Sequence, residues 1–236
     1  MHYDFLFQQF GINHSSCAMK VGTDGVLLGA WAKGGQRIVD IGTGTGLIAL
    51  MMAQRYPSAC VIGVDIDVAA ASQAKSNAST SPFSSRVQIV QAEALSWLMQ
   101  RSTQDGEWDS IVCNPPYYAN NLPSRDDSRD MARNADFLPL DKLFNVARQV
   151  LSRDGQLSLV LPIENYRRAE NAIAEAGLHM HRYCQVATKE GKPPKRVLLA
   201  VGRRPTMHPQ VSQEVLTSPE GNRSQWYQSL TKDFYL

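Results

Sequence analysis

This chain has almost no charge imbalance. Its 24 Lys and Arg stand against 22 Asp and Glu, a formal net of +2. Bulk charge therefore does not identify a partner, and no lysine-rich domain is present to hold a polyanion. Long apolar runs are missing as well. No stretch approaches the roughly 18 consecutive apolar residues that a membrane span needs, so no membrane partner is expected. Cysteine is sparse: Cys17, Cys60, Cys113 and Cys184 are scattered, with no CxxC spacing. That pattern argues against a zinc site or a disulfide framework, and no metal is expected. Cys60 and Cys113 sit in apolar runs and read as reduced core residues. The opening Met1-His2-Tyr3-Asp4 lacks the basic start and apolar segment of a secretory leader. A cytoplasmic location is the expectation. No internal repeat and no low-complexity segment stands out.

What is present is enough for a full core. Apolar residues make up 43% of 236 positions. The length suggests one domain over residues 1–236, with a cap segment over 1–35 and an extension over 205–236 packed on it. A monomer is expected. The small net charge is unevenly placed. Residues 1–110 carry seven Lys/Arg against nine Asp/Glu, and residues 111–236 carry seventeen against thirteen. The basic half begins at the stretch Asn114-Pro115-Pro116-Tyr117, which is a mild hint of a polyanionic partner.

That stretch organises the reading. It follows Ile111-Val112-Cys113, an apolar run that reads as the end of a buried strand. Two prolines cannot continue a sheet, so the backbone leaves it in a stiff, extended turn. Open α/β sheets bind ligands at the carboxyl ends of their strands. Asn114 Oδ1 and the Pro115 carbonyl can each accept a hydrogen bond from a planar exocyclic amino group, and Tyr117 can stack on its ring. The plainer reading is a proline-rich surface turn beside an aromatic residue.

Apolar runs and caps place the other elements. Strands are expected at Arg37–Ile41, Ala59–Asp65, Arg86–Gln91 and Ser110–Cys113, each followed by a helix or a turn. Thr23 and Asp24 are candidate caps for a helix with Val26, Leu27, Ala30 and Trp31 on its apolar face, and Asp67 caps an Ala-rich helix reaching about Asn77. Pro139 opens a helix with Leu140, Leu143, Phe144, Ala147 and Leu151 on one face, ended by Asp154-Gly155. A fifth strand covers Gln156–Leu161 and a helix Asn165–Ala176. Strands at about His179–Ala187 and Arg196–Gly202 follow each other without a helix, so they should be antiparallel. Ser224 caps a last helix. Strands alternating with helices predict an α/β fold: a doubly wound, mostly parallel, seven-stranded Rossmann-like sheet with one antiparallel C-terminal strand.

Gly42, Gly44 and Gly46 lie between the first of these strands and its helix, where a ligand can approach the backbone closely. A dinucleotide or S-adenosylmethionine would suit such a turn. G-x-G-x-x-G fails from Gly42 because position 47 is Leu, but survives from Gly44 as G-x-G-x-x-A, ending at Ala49. Asp65 follows at a spacing that suits either ribose. Asp40, inside the strand, favours a cofactor with an ammonium over one with a pyrophosphate. Glu93, with Ala94 beside it, can offer a carboxylate to an adenine amino group.

Val39-Asp40-Ile41-Gly42-Thr43-Gly44-Thr45-Gly46, Val64-Asp65 and Asn114–Tyr117 together resemble an amino-group methyltransferase that uses S-adenosylmethionine, on the class I methyltransferase fold. The run Met19-Lys20-Val21-Gly22-Thr23-Asp24-Gly25, Leu28-Gly29-Ala30-Trp31, Val197–Ala200 and the ending Phe234-Tyr235-Leu236 are similar to the bacterial family that methylates N6 of adenine 37 in a valine tRNA. The resemblance spans essentially the whole chain. It implies a cofactor-binding set of Lys20, Thr23, Asp24, Asp40, Gly42, Gly44, Gly46, Asp65, Ile66, Glu93, Ala94 and Asn114. It also implies a catalytic set of Asn114, Pro115, Pro116 and Tyr117. Glu93 stands where the family commonly has Asp.

The polyanion would be the anticodon arm of a tRNA. From Arg182 to Arg204 the chain carries Arg182, Lys189, Lys192, Lys195, Arg196, Arg203 and Arg204 against Glu190 alone. Lys189, Lys192, Lys195 and Arg196 are the expected RNA contacts: the lysines in a loop over 188–195 stiffened by Pro193-Pro194, Arg196 at the start of the strand that follows, with the polar loop from Ala119 to Asp136 as partner. A solvated hairpin tip is the plainer reading. Alternative functions are methylation of a protein glutamine amide or of a guanine or adenine amino group in rRNA. A non-catalytic RNA-binding module and a dehydrogenase are more remote.

Overall fold

The computed structural model describes residues 3–15, 20–115 and 138–236. Pro116, Tyr117 and the loop from Ala119 to Asp136 lie outside the described residues. The chain opens with a short antiparallel pair, β1 (Phe5–Leu6) and β2 (Gly11–Ile12). Helix α1 (Thr23–Trp31) follows, then β3 (Arg37–Ile41), α2 (Leu47–Arg55), β4 (Cys60–Asp65), α3 (Val68–Ser79), β5 (Val87–Gln91), α4 (Ala94–Asp105) and β6 (Trp108–Cys113). Beyond the undescribed stretch come α5 (Leu140–Val150), β7 (Leu151–Pro162), a 3-10 turn over Ile163–Asn165 and α6 (Tyr166–Glu175). Strands β8 (His179–Lys189), β9 (Pro194–Gly202) and β10 (Gln210–Thr217) precede α7 (Gln225–Thr231).

The large sheet runs β10-β8-β9-β7-β6-β3-β4-β5. Only β9 is reversed within it. It pairs antiparallel with β7 and β8, while the other neighbouring strands are parallel. The order reverses at β3, which lies between β4 and β6, and that is where an open α/β sheet leaves a crevice. Side chains alternate across the sheet. Leu198 and Ala200 join the core beneath α1, α2, the N-terminal pair and α7, together with Phe7, Leu27, Met51, Tyr227 and Phe234. Val197, Leu199 and Val201 join the core beneath α4, α5 and α6, with Leu98, Leu143, Phe144 and Ile173.

Two expectations are corrected. The sheet has eight strands, not seven, because residues 210–217 of the expected extension pair parallel with β8 as an edge strand. The helix opened by Pro139 ends at Val150, and the next strand begins at once, at Leu151 rather than Gln156. Leu151 pairs with Trp108 and Gln156 with Ser110, so the residues between them bulge out of the ladder. Gly155 lies in that bulge, where a Cβ would come within 2.6 Å of the Trp108 carbonyl. It marks the bulge, not a helix stop. Among the described residues, no helix is long and apolar enough to cross a membrane.

Candidate active site

The register brings the two sequence motifs together. Asp40 pairs with Val112 and Ile41 with Cys113, so the glycine turn and Asn114-Pro115 leave adjacent strands at the same level. The turn is folded back onto β4: the Gly42 and Thr43 amides both donate to the Val64 carbonyl, at 2.8 and 3.1 Å. Gly42 and Gly44 have φ of 64° and 55°, and a Cβ at either would meet nothing within 4 Å, so the turn has an open face. Gly63 makes room from below, since a Cβ there would come within 2.7 Å of Thr43 Oγ1.

Three carboxylates at successive strand ends are held by hydrogen bonds from nearby turns and helix starts. Asp40, fully buried in β3, accepts from Thr43 Oγ1 at 2.6 Å and the Ala49 amide at 3.1 Å, both through Oδ2. Its Oδ1 is buried without a partner. Burial pushes the Asp40 carboxyl up to about 7, with the Asp65 charge adding and the two hydrogen bonds opposing. Asp65, ending β4, accepts from the Gly44 amide at 2.8 Å and the Asp67 amide at 3.0 Å. Glu93 caps α4 by accepting from the Leu95 amide at 3.0 Å and the Ser96 amide at 2.8 Å. Burial pushes Glu93 up, but the hydrogen bonds from Ser96 and Leu95 and the Lys142 charge outweigh it and leave the carboxyl below its ordinary range. Ile66 is 67% exposed beside Asp65, and Ala94 is the first residue of α4. Asn114 is half-buried and Pro115 buried at the end of β6. The Cys113 thiol before them is pushed up by burial and by the Asp40 charge, which removes it as a nucleophile.

The start of α1 packs against the start of α2, the helix that follows the glycine turn. Thr23 is exposed at the start of α1, and Lys20 is exposed just before it. Gly25 packs so that a Cβ would lie 3.1 Å from Leu47 Cδ2, which seats the start of α1 against the start of α2. Asp24 lies beside β9, where Arg196 Nε is 2.9 Å from its Oδ1.

That contact bears on the expected RNA-binding set. Arg196 lies near the start of β9, as expected, and its Nε faces Asp24. Lys189 ends β8, Lys195 is the second residue of β9, and only residues 190–193 form the turn. Lys189, Lys192 and Lys195 are exposed. Because β9 is the reversed strand, this turn lies at the carboxyl edge of the sheet, the edge that carries the glycine turn and Asn114. The remaining arginines of the run are occupied. Arg182 stacks 3.8 Å from the Trp31 ring centroid, Arg203 pairs with Glu107 and Arg204 with Asp154.

Thr43, Gly63 and Asn77 were not legible as site residues. Asn77, almost fully buried, bonds both to the glycine turn and to the N-terminal segment. The signal was present, since Asn77 sits among Ala71, Ala74 and Ala78 on the buried stripe of α3. A polar residue inside an apolar stripe needs partners. Among the described residues, no cluster of His, Cys, Asp and Glu is placed to hold a metal.

Comparison with known proteins agrees with this arrangement. The methyltransferase small domain model matches residues 15–189. A tRNA1(Val) (adenine(37)-N6)-methyltransferase from Bacteroides thetaiotaomicron is 41% identical, covering 98% of this chain and 97% of its own. The protein of the same name from Mannheimia succiniciproducens is 39% identical, covering 98% of this chain and 94% of its own. Among solved structures, a predicted O-methyltransferase from Agrobacterium tumefaciens superposes with a TM-score of 0.68 at 17% identity, over 89% of this chain and 96% of that one. TrmN from Thermus thermophilus superposes with a TM-score of 0.53 at 19% identity, over 76% of this chain and 47% of that one. These two likenesses concern the fold. The near full-length identity does more, and by it this chain belongs to the family of the tRNA1(Val) (adenine(37)-N6)-methyltransferases.

Proposed function

We propose that this protein transfers a methyl group from S-adenosylmethionine to N6 of adenine 37, beside the anticodon of a valine tRNA. The observation that carries the reading is the pairing of Ile41 with Cys113, which sets the glycine turn next to Asn114-Pro115.

The residues at the strand ends fit the cofactor. Asp40 Oδ1 is a buried, unpartnered acceptor at the end of β3, and an ammonium is the group that would satisfy it, directly or through water. The open face of Gly42 and Gly44 admits a chain close to the backbone. Asp65 would take the ribose hydroxyls, and Glu93 or the Ala94 amide would meet the adenine amino group, with the exposed Ile66 against its ring. Lys20 and Thr23 would close the methionine end. When bound, the cofactor supplies an electrophilic methyl group on a sulfonium.

The protein's own contribution is positioning and electrostatics. An adenine N6 lone pair is delocalised into the ring. Asn114 Oδ1 and the Pro115 carbonyl accept both N–H bonds, which draws that lone pair back onto nitrogen and aims it. Tyr117, by its place in the motif, would stack on the base once it has left the anticodon-loop stack. No covalent enzyme intermediate is needed, and one N6 proton passes to solvent. Lys189, Lys192 and Lys195 would hold the anticodon arm through phosphates and so position it without reading bases. We further propose one methyltransferase domain, acting as a monomer in the cytoplasm.

The direct test is to map N6-methyladenine in valine tRNA from a strain lacking this protein. The modification at position 37 should vanish and return when the protein is supplied. Its persistence would place the substrate elsewhere.

A further inference from the structure

Asn77 lies near the C-terminal end of α3, and both polar atoms of its side chain are bonded to backbone groups of other segments. It is 1% exposed. Its Nδ2 donates to the Thr45 carbonyl and to the Asn13 carbonyl, each at 2.8 Å, and its Oδ1 accepts from the Asn13 amide at 3.0 Å. Thr45 belongs to the glycine turn. Asn13 belongs to the N-terminal segment, which next enters α1, and the start of α1 packs on Leu47 at the far end of the same turn. One side chain therefore joins three pieces of chain: α3, the glycine turn and the N-terminal segment. Asn13 is itself fastened on its other side, since Asn13 Oδ1 accepts from the Asp4 amide and Asp4 Oδ2 from the His14 amide.

The residue type is required by the partners. Two backbone carbonyls and one backbone amide converge on the side chain, and only a primary amide offers two donors and an acceptor in that span. Aspartate would face two carbonyls with no proton to give. Alanine would take this partner from the buried Thr45 carbonyl and from both partly buried Asn13 groups.

We propose that Asn77 is a positioning residue for the cofactor site: it holds the glycine turn and the N-terminal segment in one fixed register and touches no substrate. The reading rests on S-adenosylmethionine being the cofactor. It implies that cofactor binding and the ordering of residues 11–14 are coupled, since both act on the geometry that Asn77 spans.

The test uses the full-length protein and S-adenosylhomocysteine, the product form, as probe. In calorimetry, Asn77→Ala should weaken binding about tenfold, the effect of one buried hydrogen bond withdrawn from the site, and Asn77→Asp should weaken it further. The KM for tRNA and kcat at saturating cofactor should stay within about twofold of wild type, a split that a general loss of stability would not produce. A folded Asn77→Ala protein with unchanged affinity overturns the proposal. Should the variants fail to fold, hydrogen exchange on the wild-type protein decides. Added probe should increase protection at residues 11–14, and no change there overturns the proposal equally. Failure of the wild-type protein to bind the probe at all would instead refute the cofactor assignment.

Discussion

Arg196 Nε stands 2.9 Å from Asp24 Oδ1, but its Nη1 is buried with no hydrogen-bond partner, and Asp24 Oδ1 makes no well-aligned hydrogen bond. The pair is close without being linear. It ties the start of α1 to β9 at the base of the basic turn, and so joins the cofactor side of the crevice to the proposed tRNA side. A fastener and a phosphate contact predict different outcomes. Arg196→Ala should raise the KM for tRNA and cost about 1–2 kcal/mol of stability, between an exposed and a buried ion pair. The salt dependence of tRNA binding should keep its slope. A slope reduced by about one would show that Arg196 meets a phosphate after all.

Replacing Lys189, Lys192 and Lys195 together with alanine should flatten that same salt dependence by up to about three units of slope, about one for each phosphate that a lysine neutralises. Cofactor affinity should not move. An unaltered slope would place the tRNA elsewhere, with the N-terminal residues around Lys20 as the next surface to test.

Asp65→Ala should weaken cofactor binding by about 1.5–3 kcal/mol, the range for hydrogen bonds to a charged group. The same carboxylate holds the Gly44 and Asp67 amides, so the loss combines a missing ribose partner with a loosened turn. Calorimetry that returned wild-type affinity would sink the ribose assignment.

Asn114→Ala should lose kcat by about 10²–10³, the scale seen when one preorganised polar group is removed from a reacting centre. Cofactor binding should persist. Single-turnover kinetics at saturating tRNA and cofactor would measure this, and a near wild-type rate would refute the amino-group assignment.

Asp40 should mark the pH dependence of the free protein. Its carboxyl ionises near 3.8 in the unfolded chain and at about 7 in the folded one. The folded state therefore binds the proton more tightly, and its advantage is present below about pH 4. It is lost as pH rises to about 7, by on the order of 4 kcal/mol. Asp40→Asn keeps the shape and removes the titration, so the wild-type stability should fall relative to the variant across this window. Denaturant titrations at pH 4, 5.5 and 7 would show it, and parallel curves would contradict it. A cofactor ammonium reverses the sign by favouring the charged form. Binding at pH 6 should then release up to about one proton, read from calorimetry in two buffers of different ionisation heat.

Much of this architecture could be read from the chain because its central strands are buried on both faces. Runs such as Arg37–Ile41 and Cys60–Asp65 are short, apolar and closed by a glycine or a cap, and no other element fits them. Strand β10 offered no such pattern. Gln210 to Thr217 is an edge strand, exposed over its first half, and its polar residues lack a clean alternation. The start of β7 was hidden for the opposite reason. Leu151 continues the spacing of Leu143 and Ala147, so a helical stripe runs on past the point where pairing to Trp108 takes over. In the site, the carboxylates and glycines were legible because their chemistry is local to a turn. The partnership of Arg196 with Asp24 was not. A basic residue at the start of a strand looks the same whether it faces solvent or a carboxylate brought from the other end of the chain.

Asp40 and Glu93 each accept two hydrogen bonds from the residues that follow them, and Asp65 accepts one from the Asp67 amide and one from the Gly44 amide of the glycine turn. Their rotamers are chosen when the chain folds. The ordering cost of such side chains, about 0.5–1.5 kcal/mol apiece when it falls on association, has therefore already been met. Affinity for the cofactor can then be altered at positions that never touch it. Loosening the amide of Gly44, Asp67 or Ser96 would transfer that entropy from the folding equilibrium to the binding one.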